Sequence, residues 1–156
     1  QKQMSNVIFS NDFDKAMAAL IIANGAVAAG YKVTLFFTFW GLSLLRREPE
    51  KPVKKDMMEK MFGMMLPKGV DGLKLSKMNM GGMGTVMMHH VMASKNVATL
   101  KELLQQAIEN GVKMVACSMS MDVMGIKESE LIDGVELGGV AMYIDELSKS
   151  NAGLFI

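Results

Sequence analysis

The chain has 156 residues, half of them hydrophobic and 21% charged, with 17 basic side chains against 16 acidic ones. That length fits one domain whose core needs no disulfide or structural metal, and a net charge of +1 gives no electrostatic case for nucleic acid or an anionic membrane surface. Eighteen methionines stand beside one cysteine, Cys117; a lone thiol excludes an internal disulfide and zinc sites built on paired cysteines, and it suits a reducing cytoplasm.

The first residues enter an apolar segment without the charged, apolar and small-residue succession of a signal peptide. Residues 6–10 predict a short strand, Asn11 and Asp12 a helix cap, and residues 13–29 a helix closed by Gly30 in a left-handed cap. Residues 32–37, rich in Val, Thr and Phe, predict a second strand without polar alternation. Continuous apolar strands separated by helices are the pattern of a parallel sheet covered on both faces. The apolar stretches 16–29 and 33–45 have 14 and 13 residues. Each falls short of the ~18 that a membrane-spanning helix requires, so no span is expected.

Residues 46–60 carry ten charges in 15 positions and include Pro49 and Pro52, the composition of a solvated loop that enters a helix at about 53–66. Eleven of the methionines lie between Met57 and Met92, among Gly69, Gly72, Gly81, Gly82 and Gly84, and a helix is expected over 85–93. The Met- and Gly-rich stretch at about 46–96 reads as an insertion in a single domain spanning 1–156. Thr99 and Glu102 make a capping-box pattern. Leu100, Leu103, Leu104, Ala107 and Ile108 follow as one apolar helix face, closed by Gly111. A third strand at 112–116 delivers Cys117 at its carboxyl end. Residues 135–137 predict a fourth strand, 139–150 a helix and 154–156 a last strand. The expected architecture is α/β, a three-layer open sheet of about five mainly parallel strands with helices on both faces, flavodoxin- or Rossmann-like.

Ligands of such sheets sit beyond the carboxyl ends of the strands, where this reading places Cys117. Ser118, Met119, Ser120, Met121 and Asp122 begin a helical turn reaching Gly125, and a cysteine at a helix start has its thiolate favoured. Inert packing is the alternative, because free cysteine is among the most buried residue types. Ser118 and Ser120 either hold an anionic sulfur species or cap the turn; Asp122 reads as a first-turn charge. Gly81, Gly82, Gly84 and Thr85 match neither the dinucleotide fingerprint nor the P-loop. They read as an anion-binding nest or lid over Cys117, or as a hinge before a helix. His89 and His90 are adjacent, so one helix cannot aim both at one metal. Met78, Met80, Met83, Met87 and Met88 beside them suit Cu(I). Met57, Met58, Met61, Met64 and Met65 repeat at helical spacing as a contact face would, and packing is favoured over copper. Trp40 is a pocket wall or an oligomer contact.

The stretch Val-Ala-Cys-Ser-Met-Ser-Met-Asp-Val-Met-Gly-Ile at 115–126, followed by Glu-Leu-Ile-Asp-Gly-Val-Glu-Leu-Gly-Gly-Val at 130–140, resembles the cysteine segment of the DsrE/DsrF-like sulfurtransferase superfamily. Asn-Met-Gly-Gly-Met-Gly-Thr-Val-Met-Met at 79–88 and Phe-Phe-Thr-Phe-Trp-Gly-Leu at 36–42 are similar to its methionine-rich branch, which also carries the label peroxiredoxin-like. The resemblance implies a DsrE-like fold over nearly the whole chain and a sulfur relay. In that role Cys117 accepts sulfur as a persulfide or thiosulfonate and passes it to a TusA-type carrier or a rhodanese. A relay needs one nucleophilic thiolate and no second cysteine to resolve it. The expected substrate is a small sulfur-containing anion, met by residues 118–121, the glycines with Thr85, and Trp40. No resident cofactor or metal is implied. The apolar first helix and the methionines predict burial in a homo-oligomer. Two rival readings remain: a non-enzymatic module binding Cu(I) or an apolar ligand, and a thiol redox protein, which the absence of a resolving cysteine disfavours.

Overall fold

The structure, a computed structural model, describes residues 1–49 and 53–156; Pro52 and its neighbours in the expected solvated loop lie outside the described residues. Four strands form one parallel sheet: β1 (Gln3–Ile8), β2 (Lys32–Phe37), β3 (Lys113–Cys117) and β4 (Val135–Gly138). They lie side by side in the order β1-β2-β3-β4. The register pairs Ile8 with Phe37, Phe37 with Ala116 and Cys117 with Gly138, so the carboxyl ends align.

Because side chains alternate across a strand, each strand serves two layers. Ile8, Val33, Leu35, Phe37, Met114 and Ala116 join the core cluster beneath α1 (Phe13–Ala28) and α4 (Leu100–Glu109), which pack on each other. Thr34, Phe36, Val115 and Cys117 have the opposite parity. On that side runs α6 (Val140–Ser148), whose Tyr143 ring stacks on Phe36 at 5.2 Å.

The inner face of α1, Ala16, Met17, Ala19, Leu20, Ala23 and Ala26, is buried, while Ile21 on its outer face is half exposed. Asn24, its one polar residue after Lys15, donates through Nδ2 to the Leu103 carbonyl at 3.0 Å and ties α1 to α4. Gly30 follows α1 at φ +89° as the expected left-handed residue. Thr99 caps α4 by accepting from the Glu102 N–H at 3.1 Å.

The methionine-rich stretch forms two helices, α2 (Met57–Met65) and α3 (Met83–Ser94). Helix α2 starts later than expected because Asp56 and Glu59 form a reciprocal capping box, which sets the first turn. Its far end is held by buried Arg46, which donates to the carbonyls of Gly63, Leu66 and Pro67. Arg46 lies 4.0 Å from Glu130, a carboxylate that also pairs with Lys55 at 2.7 Å. A cation at a helix carboxyl end satisfies carbonyls that have no partner in the helix. Burial lowers the pKa of Arg46 from its ordinary value, and the Glu130 charge acts against that shift.

The segment expected as a fifth strand at 154–156 runs parallel to β1 and bonds it through the backbone, with the Val7 N–H donating to the Leu154 carbonyl at 2.8 Å and the Ile156 N–H to the Val7 carbonyl at 2.9 Å. Its pairing nevertheless amounts to two isolated bridges, Met4 with Ala152 and Val7 with Phe155. Two other groups interrupt the ladder. The Leu154 N–H goes to Asn6 Oδ1 at 3.0 Å, and the Ser5 carbonyl accepts from the Tyr143 hydroxyl at 3.1 Å. Strand β1 is therefore flanked on its outer side without a continuous fifth strand.

Candidate functional site at the carboxyl edge of the sheet

Cys117 ends β3 and is the N-cap of α5 (Ser118–Met124), and its side chain makes no capping bond. It is 4% exposed. Gly125 closes α5 in a left-handed conformation, φ +68°, and a Cβ there would come within 2.6 Å of Glu59. Helix α2 therefore passes directly over the end of the cysteine helix, where Glu59 also pairs with Lys127 at 3.0 Å. The hydrogen bond from Lys127 holds the Glu59 carboxyl below its ordinary pKa.

Two hydroxyl contacts fix the start of α5. Ser118 donates to the Gly138 carbonyl at 3.3 Å, and Ser120, fully buried, shares a 2.7 Å hydrogen bond with Thr38. Thr38 leads into a 3-10 stretch, Phe39–Leu45, folded back on the end of β1. The Gly41 N–H donates to the Phe9 carbonyl at 2.8 Å, and a Cβ at Gly41 would lie 2.0 Å from the Ile8 carbonyl oxygen. The Thr38–Ser120 bond thus brings the loop that carries Trp40 to the edge that carries Cys117. Trp40 is 41% exposed; Met119 and Val123 on α5 are also exposed, and Met121 is buried.

Gly138 faces Cys117 across the register. The place its Cβ would take is crowded by Met142 Sδ at 2.6 Å and Val115 Cγ1 at 2.8 Å. The glycine thus lets a thioether and a methyl group close in beside the cysteine pair, giving that face an apolar lining. Thr38, Gly138 and Met142 were not singled out from sequence. Only Gly138 left a signal there, as half of a Gly-Gly pair ending a strand.

The second group of expected site residues lies on a different scaffold. Gly81 and Gly82 are left-handed, at φ +69° and +102°. A Cβ on Gly84 would lie 1.7 Å from the Met78 carbonyl oxygen. Thr85 accepts from the Leu75 N–H at 3.0 Å and donates to Asn79 Oδ1. These contacts seat the 75–80 loop on α3. In turn α3 meets α1 through the ring of His89, 4.6 Å from Phe13. Among the described residues, the hydrogen bonds of this segment run to that loop and none to Cys117 or α5. No group of three or more His, Cys, Asp or Glu residues is placed to hold a metal ion among the described residues, and no described helix is long and apolar enough to cross a membrane.

The site is thus a buried cysteine at the carboxyl end of β3 in a four-stranded parallel α/β sheet, opposite a glycine. Residues 1–155 match the DsrE/DsrF/DrsH-like family, and the chain belongs to that family. It is 52% identical over 155 residues to the uncharacterized protein YrkE of Bacillus subtilis, covering 99% of this chain and 97% of that one. It is 38% identical over 160 residues to the sulfur carrier protein DsrE2 of Allochromatium vinosum, covering 100% and 99%. Among solved structures, the ychN protein of E. coli shares the fold at a TM-score of 0.58 with 14% identity, over the full length of both chains. A protein of unknown function from Methanobacterium thermoautotrophicum does so at 0.60 with 13% identity, again over both full lengths.

Proposed function

We propose that this protein is a sulfur-relay protein in which Cys117 carries sulfane sulfur as a persulfide. The observation that carries the reading is the seat of the chain's only cysteine, at the carboxyl edge of the sheet, in a chain alike over its whole length to a protein named as a sulfur carrier. In loading, the Cys117 thiolate attacks the outer sulfur of a persulfide or polysulfide donor. The donor S–S bond breaks, its electron pair leaves with the donor thiolate, and a new S–S bond forms at Sγ. With thiosulfate the leaving group is sulfite. Unloading reverses the logic: an acceptor thiolate takes the terminal sulfur and Cys117 returns to a thiolate. No net oxidant is consumed in either step.

The surroundings support a carrier. Cys117 is itself buried, which shields a sulfur carried on it from water, and the chain has no second thiol to displace that sulfur as a disulfide. The exposed rim of Trp40, Met119 and Val123 offers apolar surface to a partner such as a TusA-type carrier or a rhodanese. Ser118 lies at that rim. Such chemistry belongs in a reducing cytoplasm, where the thiol persists.

The test is intact mass after reduced protein meets polysulfide or thiosulfate. Wild type is expected to gain sulfur, Cys117→Ser to gain none, and the loaded form to lose its sulfur to a TusA-type carrier. A wild-type protein whose Cys117 is labelled by a thiol reagent, yet takes up no sulfur from either donor, would refute the relay.

A further inference from the structure

The exposed methionines have no part in that chemistry, and four of them converge. Met78, Met80, Met87 and Met88 line one groove of about 410 Å³ between the 75–80 loop and α3, with Leu75 and Val91 on its walls. All four are exposed, from 40% at Met88 to 78% at Met78, so core packing does not explain them. Backbone conformation adds an independent observation. Met78 and Met80 sit in the left-handed region, at φ +60° and +49°, where a side chain with a Cβ is disfavoured and glycine or asparagine is the usual occupant. The loop tolerates that strain because Gly84 admits the Met78 carbonyl against α3 and Thr85 bonds both Leu75 and Asn79. Met78 and Met80 are thereby held on the loop side of the groove. Met87 and Met88, although adjacent on α3, both line it, which long unbranched thioether side chains can do where the shorter imidazoles cannot.

We propose that Met78, Met80, Met87 and Met88 form a binding site for Cu(I), held by thioether sulfur. Thioethers are neutral, soft and weakly basic, and they select soft monovalent ions over hard divalent cations, which prefer oxygen. The one carboxylate on the groove, Asp14, has both oxygens engaged by Ser76, at 2.8 and 2.6 Å. The other charged side chain on the groove, Lys77, is an ammonium that cannot ligate a metal while protonated, so the donors on offer are the thioethers. The pre-set loop reduces the ordering that binding would otherwise demand. His89 takes no part, since its ring is turned to Phe13, and Met83 is not among the lining residues. The inference is independent of the relay, which uses Cys117 alone.

The experiment uses a Cys117→Ser protein, so that a thiol cannot supply the metal site. Cu(I) is added without oxygen as its acetonitrile complex, in competition with bathocuproine disulfonate. Cys117→Ser is expected to retain a single Cu(I), with sulfur as the near neighbour by X-ray absorption. Adding Met78→Leu, Met80→Leu, Met87→Leu and Met88→Leu is expected to abolish retention, since leucine keeps volume and apolarity while removing the thioether. Replacing Met57, Met61 and Met64 by leucine instead is expected to leave it unchanged. No copper retained by Cys117→Ser, or equal copper in the four-leucine variant, would overturn the site. Sulfur loading of the four-leucine variant in a Cys117 background reads the relay separately.

Discussion

The Thr38–Ser120 hydroxyl pair is the smallest device that decides where the cysteine edge sits. A buried hydroxyl left alone costs about 1–3 kcal/mol, while removing both partners of a pair costs much less. Ser120→Ala and Thr38→Val are each expected to lower unfolding stability by that amount. The double variant should lose clearly less than the sum, as urea unfolding of all four proteins will read; additive losses would show that the bond contributes nothing. The position of Cys117 was legible in sequence because Gly111, the apolar run before the cysteine and Gly125 after it punctuate a strand and a short helix. The partners of its neighbours were not. Ser118 and Ser120 look like cap or anion-binding residues from local spacing, yet their hydroxyls go to Gly138 and Thr38, 20 and 82 positions away. No local pattern encodes such separations.

At the scale of elements, Arg46 acts as the clamp of α2. Its guanidinium binds three carbonyls at the end of the helix and faces Glu130. Arg46→Met removes one partner of a buried charge group and strands those carbonyls, so a loss of roughly 3 kcal/mol is expected. Faster amide exchange throughout α2 should accompany it. Unchanged exchange in α2 would mean that the helix is held by something else. Elements bounded by strong local signals were readable: α1 between Asp12 and Gly30, α4 from Thr99, and the strands by their apolar runs. The start of α2 was misplaced because the expectation followed the second proline, whereas the Asp56–Glu59 box governs. The last segment, Leu-Phe-Ile, has strand character and does run along β1, yet it stops short of a continuous strand because Asn6 takes the Leu154 N–H and Tyr143 takes the Ser5 carbonyl. Interception by distant side chains leaves no trace in the intercepted residues.

Across the whole molecule, apolar surface is distributed unevenly. Met57, Met58, Met61, Met64 and Met65 on α2 are 52–86% exposed, and α6 buries none of its residues. Contiguous apolar surface of this kind marks contact with another protein, and a homo-oligomer is the assembly we expect to cover it. Met61→Lys with Met65→Lys, one turn apart on α2, should convert the assembly to single chains in sedimentation velocity. Equal sedimentation of variant and wild type would place the contact elsewhere. Composition only counts these methionines, whereas their helical spacing already marks a contact face on α2. The flank of β1 has a further consequence, for synthesis. Asn6 and Leu154 are joined across 148 positions, so the outer edge of β1 finds its partner only after all the residues between them have been translated. Until residues 151–156 emerge from the ribosome, one side of β1 is an open template for other chains. Over that interval β2, β3 and β4 can already have joined β1, so an otherwise assembled sheet waits with one edge exposed.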